Sequence, residues 1–122
     1  MHSAKGEAEE ELYRMQAEFC KGMAHPKRIH ILKALKNGEM SVNGLAKLLK
    51  TPQANVSQHL TVLRQLGLLR TRRDGSNVYY SIVDERIIEA CDLVRGCIEE
   101  RLRKSHEVFA VAPQARKLAS LE

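Results

Sequence analysis

Seven side chains in two short runs have the chemistry to read a nucleic-acid duplex. Gln53, Asn55, Ser57, Gln58 and His59 place three amides, a hydroxyl and an imidazole within one short stretch, beside the small Ala54. Glutamine and asparagine amides can bridge N6 and N7 of adenine, and hydroxyl or imidazole groups pair with other base-edge donors and acceptors. Arg72 and Arg73 adjoin the polar run Asp74-Gly75-Ser76-Asn77, where guanidinium groups suit a backbone phosphate or a neighbouring minor groove. A third set is the thiols Cys20, Cys91 and Cys97, which can be oxidised, take up sulfur or bind a soft ion. Taken singly, each polar residue fits a solvated face better than a DNA contact. The ordered combination is what points to DNA.

Charge supports that direction. The 122 residues carry a formal charge of +5, unevenly spread. Residues 1–18 hold five acids against two bases, a net of −3. Residues 50–80 hold Lys50, Arg64, Arg70, Arg72 and Arg73 against Asp74 alone, a net of +4. A basic segment opposite an acidic one is the pattern of a chain that offers one face to a polyanion. With no Trp, three Tyr and two Phe, there is little to stack on unpaired bases, so duplex DNA fits better than single strands or RNA.

Those residues need elements to hold them. Between Glu7 and Met23, Leu12, Met15, Phe19 and Met23 recur at steps of three and four, an amphipathic helix. His25-Pro26 interrupts it, and Lys27 to Lys36 carries Ile29, Ile31, Leu32 and Leu35 as a second helix closed by Asn37-Gly38. Ser41 caps a third, short helix with Val42, Leu45, Leu48 and Leu49. Thr51-Pro52 opens a fourth, a capping hydroxyl followed by proline at the first helical position. Its buried stripe is Val56, Leu60, Leu63 and Leu66, and Gly67 ends it. Residues 68–73 and 78–82 form a hairpin around Asp74–Asn77, with Val78, Tyr80 and Ile82 alternating toward the core. Asp84 opens a last helix with the stripe Ile87, Cys91, Val94, Ile98 and Leu102. One domain over residues 1–106 and a flexible tail over 107–122 follow from the fading periodicity and Pro113.

The predicted architecture is mainly α with a small β-hairpin wing: four helices, two strands and a fifth helix, a winged helix-turn-helix. A short helix, a tight turn and a second helix project that second helix into the major groove. No stretch approaches the roughly 18 apolar residues of a membrane helix, and three cysteines without a CxxC pair speak against a disulfide scaffold or zinc ribbon. A cytoplasmic protein is expected. Paired catalytic carboxylates, a Gly-rich phosphate loop and a nucleophile elbow are all missing, so neither an enzyme nor a cofactor is expected. A winged helix used only for protein interaction would present an apolar fourth helix, which Gln53, Asn55, Gln58 and His59 contradict.

The motifs are specific enough to name a family. Phe19-Cys20-Lys21-Gly22-Met23-Ala24-His25-Pro26-Lys27-Arg28-Ile29-His30-Ile31-Leu32 resembles the opening signature of the ArsR/SmtB family of bacterial and archaeal repressors. So do Ser57-Gln58-His59-Leu60-Thr61-Val62-Leu63-Arg64, Gly67-Leu68-Leu69, and Arg72-Arg73-Asp74-Gly75-Ser76-Asn77-Val78-Tyr79-Tyr80-Ser81-Ile82. The similarity covers about residues 12–105, with the motifs in the family's order. It implies a homodimer built from the first and last helices, an operator with dyad symmetry, and repression relieved by an inducer.

The resemblance also sets the terms for the inducer. The family's Cys-x-Cys element on the third helix is absent, since Ser41 to Lys50 holds no cysteine. At its last-helix zinc and cobalt site this chain offers Asp84, Arg86, Cys97 and Glu100, and arginine cannot ligate a cation. No metal site is expected there. Cys91 and Cys97, six residues apart, face different directions on one helix and cannot bridge. The family's packing of the first helix along the last would bring Cys20 toward Cys91, making them the expected sensors of reactive sulfur or oxidant. Two alternatives stay open: a metalloid such as As(III) held by Cys20, Cys91 and Cys97, or cysteines that merely fill a seam.

Overall fold

The structure, a computed structural model, describes residues 4–109, with side chains through residue 105. The chain divides into two compact units, Met1–Glu85 and Arg86–Glu122. The first runs α1 (Ala4–Met23), α2 (Pro26–Ala34), a 3-10 turn (Leu35–Asn37), β1 (Met40–Ser41), α3 (Val42–Leu49), α4 (Gln53–Gln65), β2 (Leu69–Asp74) and β3 (Asn77–Ile82). This is the expected winged helix-turn-helix, with one strand more than the sequence predicts.

Local chemistry explains the breaks. His25 is extended ahead of Pro26, and its Nδ1 accepts from the Lys27 amide at 3.1 Å, capping α2. The helix tightens into the 3-10 turn after Ala34 instead of reaching Lys36, and Gly38 leaves at φ +135°, a region closed to most side chains. Ser41 caps α3 as expected, its Oγ accepting from the Gly44 amide at 3.1 Å. Thr51 does not cap α4. Its hydroxyl donates back to the Leu49 carbonyl at 3.0 Å, and Pro52 occupies the cap position with no side-chain bond. The helix therefore starts at Gln53, so proline lies just outside it.

Ile31, Leu32, Leu35, Leu45, Leu49, Val56, Leu60, Leu63, Leu68 and Leu69 form the core of this unit. Ile29 and Leu48, assigned to helical stripes, lie outside it, 47% and 53% exposed. At the end of α1 the Leu66 side chain just beyond α4 lies over Gly22, and a side chain at position 22 would have to displace it.

The wing is a three-stranded antiparallel sheet in the order β1-β3-β2. Leu69 pairs with Ile82 at one end and Asp74 with Asn77 at the other, while Met40 and Ser41 pair with Tyr80 and Tyr79. The hairpin loop is Gly75-Ser76 alone, with φ +62° at Gly75, the positive angle a two-residue turn needs at its first position. Residues 78–82 are all half-buried, so the expected alternation of Val78, Tyr80 and Ile82 is not seen. β3 is the central strand of the sheet, and the side chains on both of its faces keep partial access to water.

The second unit contributes α5 (Arg86–Phe109), which starts after Asp84 and continues past the expected limit at His106. Arg95 and Glu99 pair at 3.8 Å along its surface, and Arg103 pairs with Glu100. Residues 110–122, most of the expected tail, lie outside the described residues.

Candidate nucleic-acid interface

Burial of Val56, Leu60 and Leu63, each 0% exposed, sets the roll of α4 about its axis. At about 100° per residue, Gln58 falls nearly opposite that stripe, with Asn55 and Thr61 on either side. Gln53, Asn55 and Gln58 are exposed, while Ser57 and His59 are half-buried at the flanks. The face presented is polar and rich in amides. Thr61 completes it but turns its hydroxyl onto the Ser57 carbonyl at 2.9 Å, a bond within the helix.

His59 is already engaged. Its Nδ1 accepts from Arg28 Nε at 3.1 Å, and its ring lies 4.5 Å from the ring of His25, tilted by 49°. Burial, followed by the charges of His25, Arg28 and Lys27, holds its pKa below the ordinary 6.5. Only Nε2 of this ring remains for a base or phosphate.

The two wing arginines, alike in sequence, differ in surroundings. Arg72 forks onto the Glu39 carboxylate, Nε to Oε2 at 3.1 Å and Nη2 to Oε1 at 2.5 Å. Its guanidinium also lies 4.7 Å from the centre of the Tyr79 ring. The hydrogen bond is the main reason that Glu39 titrates below its usual range and Arg72 above its own. Arg73 is exposed on the other face of β2, one position from the turn. Arg70 reaches the Val83 carbonyl at 3.3 Å.

Sequence reasoning missed Arg28, Glu39 and Tyr79. Only Glu39 left a signal, an acid beside an otherwise basic region. Cys20 is exposed on α1; on α5, Cys97 is exposed and Cys91 half-buried. Among the described residues, no three or more His, Cys, Asp or Glu side chains gather where they could hold a metal ion, and no helix is long and apolar enough to cross a membrane.

Comparison with known proteins places this arrangement. The family model described as bacterial regulatory protein, arsR family, matches residues 25–71, from the α2 cap through the helix-turn-helix into the wing. An uncharacterised HTH-type transcriptional regulator of Methanocaldococcus jannaschii is 40% identical over 85 residues, 69% of this chain and 96% of that one. The solution structure of the homodimeric winged helix-turn-helix DNA-binding domain of Mb0332 from Mycobacterium bovis superposes with a TM-score of 0.71 at 30% identity, covering 86% of this chain and 94% of that one. Reduced HlyU from Vibrio cholerae gives 0.64 at 27% identity, covering 85% and 98%. With a winged helix-turn-helix, an amide-lined fourth helix and relatives matched along nearly their whole length, the chain belongs to the ArsR family of transcriptional regulators, DNA-binding proteins rather than enzymes.

Proposed function

We propose that the protein is a cytoplasmic homodimeric repressor that reads a dyad-symmetric operator through α4, braces on flanking backbone through the wing, and lets go when Cys20 and Cys91 are oxidised or take up sulfur. The observation that carries the DNA reading is the exposed amide face of α4, with Gln58 opposite a fully buried stripe. The apolar faces of α1 and α5 support the dimer: Leu12, Tyr13 and Met15 on one helix, Leu93, Val94 and Ile98 on the other, are at least half exposed in a single chain. Exposed apolar faces of this kind are what a twofold interface between two copies buries.

The sensing step joins two thiols and gives up two protons and two electrons to an oxidant such as diamide or polysulfide. Two observations support it: Cys20 is exposed, and HlyU, a relative in fold and sequence, has a structure in a reduced form. The test begins by selecting duplexes from a random pool with the full-length protein and footprinting the winners. A dyad with half-sites about one DNA turn apart is expected. Diamide or polysulfide should release the selected duplex and dithiothreitol restore it, while Cys20→Ser and Cys91→Ser stay bound. Release by arsenite alone, with all three thiols required, replaces thiol oxidation with metalloid sensing.

A further inference from the structure

Arg28 joins three helices through one guanidinium. Its Nη1 donates to the Gly22 carbonyl at 2.8 Å, and its Nε donates to His59 Nδ1 at 3.1 Å. Gly22 lies in the last turn of α1, where carbonyls have no partner within the helix and a cation is favoured. His59 lies on α4, three residues beyond the buried Val56 and one before the buried Leu60. The guanidinium is always protonated and can only donate. Nδ1 must therefore keep its lone pair, and the neutral ring must carry its proton on Nε2. That leaves the imidazole a donor, suited to acceptors such as guanine N7 and O6, thymine O4 or a phosphate oxygen.

We propose that Arg28 is a positioning residue for DNA binding: it sets the seat and tautomer of His59 on the recognition helix and ties that helix to the end of α1, and protonation of His59 undoes the arrangement. This rests on the reading of α4 as the DNA-reading helix. A proton on Nδ1 turns the acceptor into a second donor aimed at Arg28. The charged and titratable groups that act on the ring are His25 from the connection before α2, and Lys27 and Arg28 from α2 itself. All three are basic, so none of them offsets the new charge. The sign follows directly. The ring stays neutral until the pH falls below its ordinary 6.5, so DNA affinity is full above that value and declines beneath it. A histidine acting as a simple phosphate contact would do the opposite.

The test uses the full-length protein, a labelled duplex recovered from a random pool, and a scrambled duplex of equal length. Arg28→Ala is expected to weaken the selected duplex by about fivefold or more, with the slope of affinity against salt unchanged. Arg28→Lys, a point charge that cannot make both bonds, should not restore the loss. A slope reduced by about one unit, with equal loss on the scrambled duplex, would make Arg28 a phosphate contact and overturn the proposal. His59→Asn offers an acceptor at the Nδ1 position and cannot titrate. From about pH 7.5 down through the pH at which the parent's His59 ring gains its proton, followed by NMR of that ring, the parent should lose at least about threefold more affinity than this variant, whatever their absolute affinities. Parallel pH profiles overturn the proposal even if Arg28→Ala fails to fold. Weakening by Gln58→Ala with parallel profiles would sink positioning alone and spare α4 as the reader. Full binding by Gln58→Ala would sink both.

Discussion

The helices that hold the reading face and the helices at the two ends of the chain use the same kind of apolar stripe to different ends. In α2, α3 and α4, seven of the periodic residues are buried, and Val56, Leu60 and Leu63 are sealed completely. In α1 no residue is buried at all, and along α5 Leu93, Val94 and Ile98 stand 73%, 61% and 50% exposed. Periodicity reports that a face wants to leave water; it does not say what will cover it. In the reading unit the same chain supplies the cover. On the terminal helices the apolar faces are large for a solvated surface and suit a second copy.

The sharpest way to break this contrast is to cut one leucine from each region. Leu60→Ala removes a side chain with 0% exposure and is expected to cost about 2–5 kcal/mol in urea unfolding, through lost burial plus the cavity left behind. Leu93→Ala, at 73% exposure in a single chain, should change the stability of a dilute, monomeric sample by no more than about 0.5 kcal/mol. Equal losses in dilute solution would mean that the two regions are not different in kind.

A charge on the terminal face sharpens the other half. Val94→Asp should raise the dimer dissociation constant about 100-fold or more in sedimentation equilibrium, roughly 2.7 kcal/mol, with the circular dichroism of a folded chain retained. Operator affinity should fall with it, because one subunit reaches only one half-site. A Val94→Asp protein that stays dimeric removes α5 from the interface.

How much of this was legible beforehand follows the range of the interactions. Caps, turns and stripes depend on neighbours in sequence, so Ser41, His25-Pro26 and Gly75 could be read directly, and the motif order named the family. Strand β1 could not, because Met40 and Ser41 are too few to show a period and exist as a strand only through Tyr80 and Tyr79. Thr51 departs from its expected capping role because its hydroxyl can either accept from an amide at the start of α4 or donate to a carbonyl behind it, and it donates to Leu49. The amide face of α4 was visible in residue types alone. That His59 is held by Arg28, 31 residues away, and Arg72 by Glu39, 33 residues away, was not, since neither pairing leaves a local pattern.

Within the reading unit the contrast narrows to single side chains. Gln58→Ala is expected to weaken the selected duplex by about 1–3 kcal/mol, the scale of a lost base contact, and to leave the dimer and the salt slope alone. Arg64→Ala, an exposed base on the same helix, should act on selected and scrambled duplexes alike. If both variants lose the same on both duplexes, α4 holds backbone and does not read sequence.

The smallest effect separates the two wing arginines. Arg73 is exposed, so Arg73→Ala should lower the salt slope by about one unit, the signature of one phosphate contact. Arg72 already satisfies the Glu39 carboxylate through two hydrogen bonds and lies over Tyr79, so Arg72→Ala should lower it by less. Glu39→Gln then becomes the informative variant, since it leaves Arg72 in place but removes the charge that competes with phosphate. Affinity for selected and scrambled DNA should rise together, and the gap in slope between Arg72→Ala and Arg73→Ala should close when each is made on the Glu39→Gln background. The pair is exposed, and melting temperatures should barely move. Its pH dependence has a fixed sign: the folded Glu39 pKa lies below the usual 4.5, so the small stabilisation is complete above that value and is lost as the pH falls through the lowered one. If Glu39→Gln leaves affinity and slope unchanged, the fork at Glu39 does not compete with phosphate and the two arginines are equivalent after all.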